Sequence, residues 1–332
     1  MNDHLELKCS DGNSALPVPV PPQSEQFDSC CIPKYDLSHV FFEGVARPAR
    51  TSGRTRPVAK KSSPSTSFHK AKDVHAPQES VAEAVPDPFL VWLLGRFGLD
   101  ASAYRPAALA RRLPSCLRQL RVTTACEAKA ALELRPELLG QALNSVLIGV
   151  TEFFRDRPVF DYLRKNLLPE LLSSRHGLRV LSAGCSDGQE LYSIAMLLEE
   201  LGALEESELL GMDCRADAID RARAGIFHAR EAAGLDAFPS PPARSGITQA
   251  LRDRCRWQVG DLLSDIPGGG WDIILCRNVA IYLNEPHVVL LWERLTSALG
   301  HDGALVVGKA EKLPPSLTLV RVAANVYRKT GE

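Results

Sequence analysis

Five short apolar runs, the first closing on small residues and the second on an acid, constrain this chain more than any other feature. They are LRVLSAG (178–184), SELLGMD (207–213), RWQVGDLL (256–263), WDIILCRN (271–278) and GALVVGK (303–309). Among them LYSIAMLLEELG, CRADAIDRARAG and the stretch from Glu285 to Leu299 place apolar residues at helical spacing. Repeated strand–helix units predict a parallel sheet covered on both faces, because a parallel pair needs a long crossover. The closing LTLVRVAANVYRK predicts a hairpin. Residues 151–332 are therefore expected to form a doubly wound α/β domain.

Upstream the period changes. PFLVWLLGRFGL, YRPAALARRLPSCLRQLR and ELLGQALNSVLIGV are apolar at helical spacing, which predicts a small all-helical domain over 87–150. Residues 1–86 are rich in Pro, Ser, Lys and Arg without any apolar period, and read as a disordered extension. Its stretch from Arg47 to Lys72 has eight basic residues and no acid. CIPKYDLSHVFF (31–42) is a candidate docking motif within it.

Bulk properties exclude several classes. The 332 residues carry 39 Lys and Arg against 40 Asp and Glu, which leaves no overall field to attract nucleic acid or a membrane surface. The nine cysteines form no CxxC pair, so neither a disulfide framework nor a structural metal site is expected, and a reducing cytoplasm suits them. There is no apolar segment of signal-peptide or membrane-spanning length.

In an open parallel sheet, ligands bind beyond the carboxyl ends of the strands. Here those ends read AGCSDGQE, GMDC, GDLL and CRN. Small residues in the first loop allow close backbone approach, and Asp213, 29 residues after Gly184, stands where an acid accepts ribose hydroxyls. Asp261 is placed to face an adenine amino group. The loop lacks the G-x-G-x-x-G of a dinucleotide cradle, and Asp187 and Glu190 would repel phosphate but suit a cation. The adenosine cofactor that fits is S-adenosylmethionine, which has a sulfonium and an ammonium and no phosphate.

The motifs VTEFFRD, RVLSAGCSDGQELYSIAM, GMDCRADAIDRARAGIF, GDLL, WDIILCRNVAIYL and GALVVGKAE occur in that order over about residues 88–328. In this the chain resembles the CheR-type methyltransferases, the chemotaxis-receptor glutamate O-methyltransferases. The resemblance implies a class I Rossmann-like methyltransferase domain preceded by a helical domain, with S-adenosylmethionine converted to S-adenosylhomocysteine. It implies cofactor contacts from Thr151, Arg155, Glu190, Asp213, Asp261, Leu262, Cys276, Arg277 and Asn278. Arg155 and Tyr282 would orient the reacting groups, while Phe153 and Phe154 would pack the seam between the domains. Arg111, Arg112 and Arg118 would dock an acidic helical substrate, the cytoplasmic domain of a chemoreceptor.

The chain also departs from the family pattern. Gly149 stands where an asparagine is common two residues before the motif threonine, SDGQELYS replaces STGEEPYS, and KAE (309–311) replaces an HSE-like element. The interval from Phe227 to Trp257 is Pro-rich without strand alternation, so docking of a receptor's C-terminal tail is not expected. Two alternatives stay open on sequence alone: another protein or small molecule as acceptor, or a non-catalytic module that binds the donor or its product.

Overall fold

A computed structural model describes residues 85–228, 230–232, 234–235 and 247–329. Residues 1–84, with the expected disorder, the basic stretch from Arg47 to Lys72 and the candidate docking motif at 31–42, lie outside these. Among the described residues no helix is long and apolar enough to cross a membrane.

The first third of the described chain is helical: α1 (Pro88–Gly95), α2 (Pro106–Ala110), α3 (Leu113–Leu120), α4 (Ala125–Leu134) and α5 (Leu139–Val146). Local chemistry starts these helices. Asp87 caps α1 by accepting from the Phe89 N–H at 2.8 Å, with Pro88 at the first helical position. Thr124 and Glu127 form a reciprocal capping box on α4, each side chain accepting from the other's backbone N–H at 3.2 Å. Helix α6 (Arg157–Tyr162) runs through a π turn into α7 (Leu168–Leu172).

Strand–helix alternation follows: β1 (Arg179–Ala183), α8 (Gln189–Glu200), β2 (Glu208–Asp213), α9 (Ala216–Ala224), α10 (Gln249–Arg254), β3 (Cys255–Val259), β4 (Trp271–Cys276), α11 (Glu285–Ala298) and β5 (Leu299–Val307). The chain closes with β6 (Leu319–Ala323) and β7 (Val326–Lys329). The sheet order is β3-β2-β1-β4-β5-β7-β6. The first five strands are parallel, as their helical crossovers require, and the last two are antiparallel, because Ala324 and Asn325 alone join them. Winding reverses between β1 and β4, so the ligand crevice of such a sheet opens above these two strands.

The pleat sorts neighbouring residues into two cores. Leu181, Ala183, Ile274, Cys276 and Leu305 join α11 and the helical segment, including Leu90, Leu93, Leu132 and Leu143. Val180, Ile273, Leu275 and Val306 join α6, α7 and α8 on the other face. Phe153 and Phe154 enter this second core and do not fill the space beside the helical segment. Phe153 meets Phe227 edge-on at 5.0 Å and Phe154 meets Phe160 at 5.5 Å.

Candidate functional site

The loop between β1 and α8 closes tightly because its backbone donors are already in use. Gly184 and Cys185 N–H both donate to the Met212 carbonyl, Ser186 N–H donates to Asp213 Oδ2 at 2.9 Å, and Gly188 N–H donates to the Cys185 carbonyl. Gly188 has φ +93°, and a Cβ there would stand 2.7 Å from the Trp257 ring and 2.9 Å from Ala222. These four loop donors are spent within the protein and are not free to cradle a ligand.

The acids themselves are paired. Asp187 meets Arg221 at 2.9 Å, and Glu190 takes Ser182 Oγ at 2.8 Å and Arg277 Nη1 at 3.1 Å. Asp213 takes Arg215 Nε at 2.9 Å and Nη2 at 3.2 Å. Asp261 closes its own turn, accepting from Leu263 N–H at 3.1 Å and Ser264 Oγ at 2.9 Å. The surplus negative charge expected from the sequence is therefore largely balanced by arginines, Asp261 being the acid held by neutral donors.

Two segments are braced across this rim. Arg277, its side chain nearly sealed from solvent, donates to the Arg155 carbonyl and to Asp156 Oδ2, both at 2.7 Å. Lys309 holds the other oxygen of Asp156 at 2.6 Å. Burial works to raise the Asp156 pKa, but Lys309 and Arg277 outweigh it and hold the carboxyl below the ordinary aspartate value.

Beyond β4 the turn Asn278–Ala280 is gripped by Glu311. Its Oε1 accepts from Val279 N–H at 2.8 Å and Ala280 N–H at 3.0 Å, and its Oε2 from Asn278 N–H at 3.0 Å and Gly308 N–H at 2.5 Å. Burial raises the Glu311 pKa and the four N–H groups oppose the rise. The next turn carries Tyr282, whose carbonyl accepts from Arg105 N–H at 2.8 Å, and Tyr104 bridges to Leu283. The helical segment is thus stitched to the turn that presents Tyr282.

These elements enclose a cavity of about 290 Å³. Thr151, Arg155, Glu190, Asp213, Asp261, Leu262, Arg277, Asn278 and Tyr282 all line it, with Leu147, Ile148, Ile281 and Leu291 among its apolar walls. Cys276 does not line it; its side chain is buried in the core beneath. Arg111 and Arg118 are exposed and Arg112 half-buried, and among the described residues none of the three pairs with a carboxylate.

The lining also includes Tyr104, Cys214 and Arg215, which the sequence does not single out as contacts. Burial raises the Tyr104 pKa well above the usual phenol value, with Cys214, Asp261 and Asp213 adding to the rise. Burial likewise pushes the Cys214 thiol up to about 12. Both are neutral hydrogen-bonding groups at pH 7.

Two polar atoms of the lining residues are buried without a hydrogen-bond partner: the donor Arg277 Nε and the acceptor Asn278 Oδ1. Such orphans carry a desolvation cost of about 1–3 kcal/mol each. A ligand with both a carboxylate and an ammonium, as at the amino-acid end of S-adenosylmethionine, would satisfy the two together.

The profile of the CheR methyltransferase SAM-binding domain matches residues 149–326. The matched span holds every cavity-lining residue except Tyr104, Leu147 and Ile148. The chain is 31% identical over 242 residues to a chemotaxis protein methyltransferase of Listeria monocytogenes, covering 70% of this chain and 92% of that one. It is 29% identical over 232 residues to the putative methyltransferase Cher3 of Pseudomonas putida, covering 66% and 85%. A probable biofilm formation methyltransferase of Pseudomonas aeruginosa, WspC, is 32% identical over 240 residues, covering 68% of this chain and 56% of that one. With the family model and these relatives in agreement, the chain belongs to the CheR family of S-adenosylmethionine-dependent methyltransferases.

Proposed function

We propose that this methyltransferase acts on glutamate side chains of a partner protein, the cytoplasmic domain of a chemoreceptor. The observation that carries the reading is that Arg155 and Tyr282 line the same cavity as Glu190, Asp213 and the unpartnered atoms of Arg277 and Asn278. Relatives named as chemotaxis protein methyltransferases support the choice of acceptor.

When bound, S-adenosylmethionine supplies an electrophilic methyl group on sulfur. A glutamate has an ordinary pKa of about 4.3 and is already an anion at pH 7, so no residue need remove a proton. The work left to the chain is alignment and exclusion of water, which in well-oriented systems is worth about 7–11 kcal/mol. Arg155 offers a two-pronged donor to the acceptor carboxylate, and Tyr282 orients it from the opposite turn. Glu190, Arg277 and Asn278 hold the amino-acid end of the cofactor. Asp213, Asp261 and Leu262, with Thr151 at the rim, hold its adenosyl part.

Arg111, Arg112 and Arg118 form the docking face for an acidic helix, and the reaction takes place in the cytoplasm. Between Phe227 and β3 the described residues contribute α10 and no strand, so docking of a receptor tail by strand addition is not part of the proposal.

The test is transfer of a tritiated methyl group to receptor cytoplasmic fragments, followed by alkali. A carboxyl ester releases its label as methanol, and Arg111→Glu/Arg112→Glu lowers incorporation while leaving S-adenosylhomocysteine binding intact. Label that resists alkali, or is indifferent to the arginine changes, would contradict the proposed acceptor.

A further inference from the structure

The carboxylate of Asp213 is saturated. A carboxylate offers about four lone-pair positions. Asp213 has four donors on it: the backbone N–H groups of Ser186 at 2.9 Å and Arg215 at 3.0 Å, and the Nε and Nη2 of Arg215 at 2.9 and 3.2 Å. The backbone pair is fixed by the two loops. The guanidinium pair leaves if the Arg215 side chain rotates.

That guanidinium occupies its place because residue 149 has no side chain. A Cβ on Gly149 would collide with Arg215 Nη1 and Nη2 and with Ser186 Oγ. Beyond Asp213 the guanidinium makes a weak 3.5 Å contact from Nη1 to the Leu147 carbonyl and feels the more distant charge of Asp187. The Asp213 and Arg215 side chains are 8% and 7% exposed, and both residues line the cavity.

We propose that Arg215 is a latch on the adenosyl subsite: it sets cofactor affinity by competing with the ribose hydroxyls for Asp213. Binding requires the guanidinium to free at least one carboxylate oxygen, so the wild-type chain holds its cofactor less tightly than the same site without the latch. The inference rests on Asp213 being the ribose acceptor, and its test separates the two ideas.

Full-length wild type and variants are titrated calorimetrically with S-adenosylhomocysteine, with thermal melts of the free proteins as a check on folding. Arg215→Ala tightens binding roughly ten-fold, the effect of one charge-assisted hydrogen bond that no longer has to be broken. Arg215→Gln, which keeps much of the side-chain volume, changes affinity in the same direction and carries the test if the alanine variant does not fold. Gly149→Ala pushes the guanidinium away from the opposite side and also tightens binding. Asp213→Ala weakens binding, and in that background Arg215→Ala brings no gain. Equal or weaker binding by Arg215→Gln and Gly149→Ala overturns the latch. Wild-type affinity in Asp213→Ala overturns the ribose reading instead.

Discussion

Replacing Glu311 by glutamine changes one oxygen to an NH₂ group with almost no change in volume. On an open surface such a change costs within about 0.5 kcal/mol. Here the two carboxylate oxygens take four backbone N–H groups at 2.5–3.0 Å, from both the Asn278–Ala280 turn and Gly308. A hydrogen bond to a charged group is worth about 1.5–3 kcal/mol, and a simple sum over four would reach about 6–12 kcal/mol. That sum overstates the effect, because burying the carboxylate itself costs several kcal/mol in the native chain. With Gln, Oε1 keeps two donors while the amide NH₂ meets two N–H groups head-on. Those two stranded donors set the loss at about 2–6 kcal/mol. The assay is urea unfolding at pH 7, where the midpoint falls and the slope stays the same. S-adenosylhomocysteine binding weakens with it, since the same turn carries Arg277 and Asn278 into the cavity. A Gln variant within about 0.5 kcal/mol of wild type would show that Glu311 does not hold the turn.

Other outcomes follow from individual contacts. Gly188→Val combines a φ of +93° with a Cβ that would stand 2.7 Å from Trp257, and is expected to lower stability by about 2–4 kcal/mol in the same urea assay; a loss under about 1 kcal/mol contradicts the packing described. Asp156 has its pKa held below the ordinary value of 3.8, so its contribution to stability is present above that value and is lost as pH falls through the lower folded-state value. The stability gap between wild type and Asp156→Asn should be constant from about pH 5 to 7.5 and shrink only in stronger acid; a gap that changes near neutrality would point to another group. Iodoacetamide at pH 8 should alkylate exposed Cys126 rapidly and leave Cys214, its thiol pushed up to about 12, unmodified in peptide mass spectra. Comparable labelling of the two would contradict the raised thiol pKa of Cys214.

Much of this architecture is legible in the sequence because strand–helix repetition fixes both sheet type and the end of the sheet where ligands bind. The acids at those ends, Asp213, Glu190 and Asp261, are found by that logic and do line the cavity. What they are bonded to is not legible. The Asp213–Arg215 pair is two residues apart in sequence, yet only the fold shows the guanidinium turned back beneath Gly149. Glu311 grips a turn more than thirty residues before it, and no local pattern announces such a contact. Tyr104 reaches the cavity from the helical segment through its bridge to Leu283. Cys276 shows a different limit. Parallel strands buried on both faces are apolar throughout, so their sequence does not tell which side chains point along the crevice and which into a core. Gly149, visible as a missing side chain, turns out to be the space that Arg215 fills.

The central claim is that the crevice above β1 and β4 holds the methyl donor by its two ends. A crystal structure of the complex with S-adenosylhomocysteine tests it most directly. The account predicts the ribose on Asp213, the adenine beside Asp261 and Leu262, and the amino-acid end on Glu190, Arg277 Nε and Asn278 Oδ1. Homocysteine and adenosine lying elsewhere, with those two orphaned atoms still unpaired and Asp213 turned away from the ligand, would contradict it.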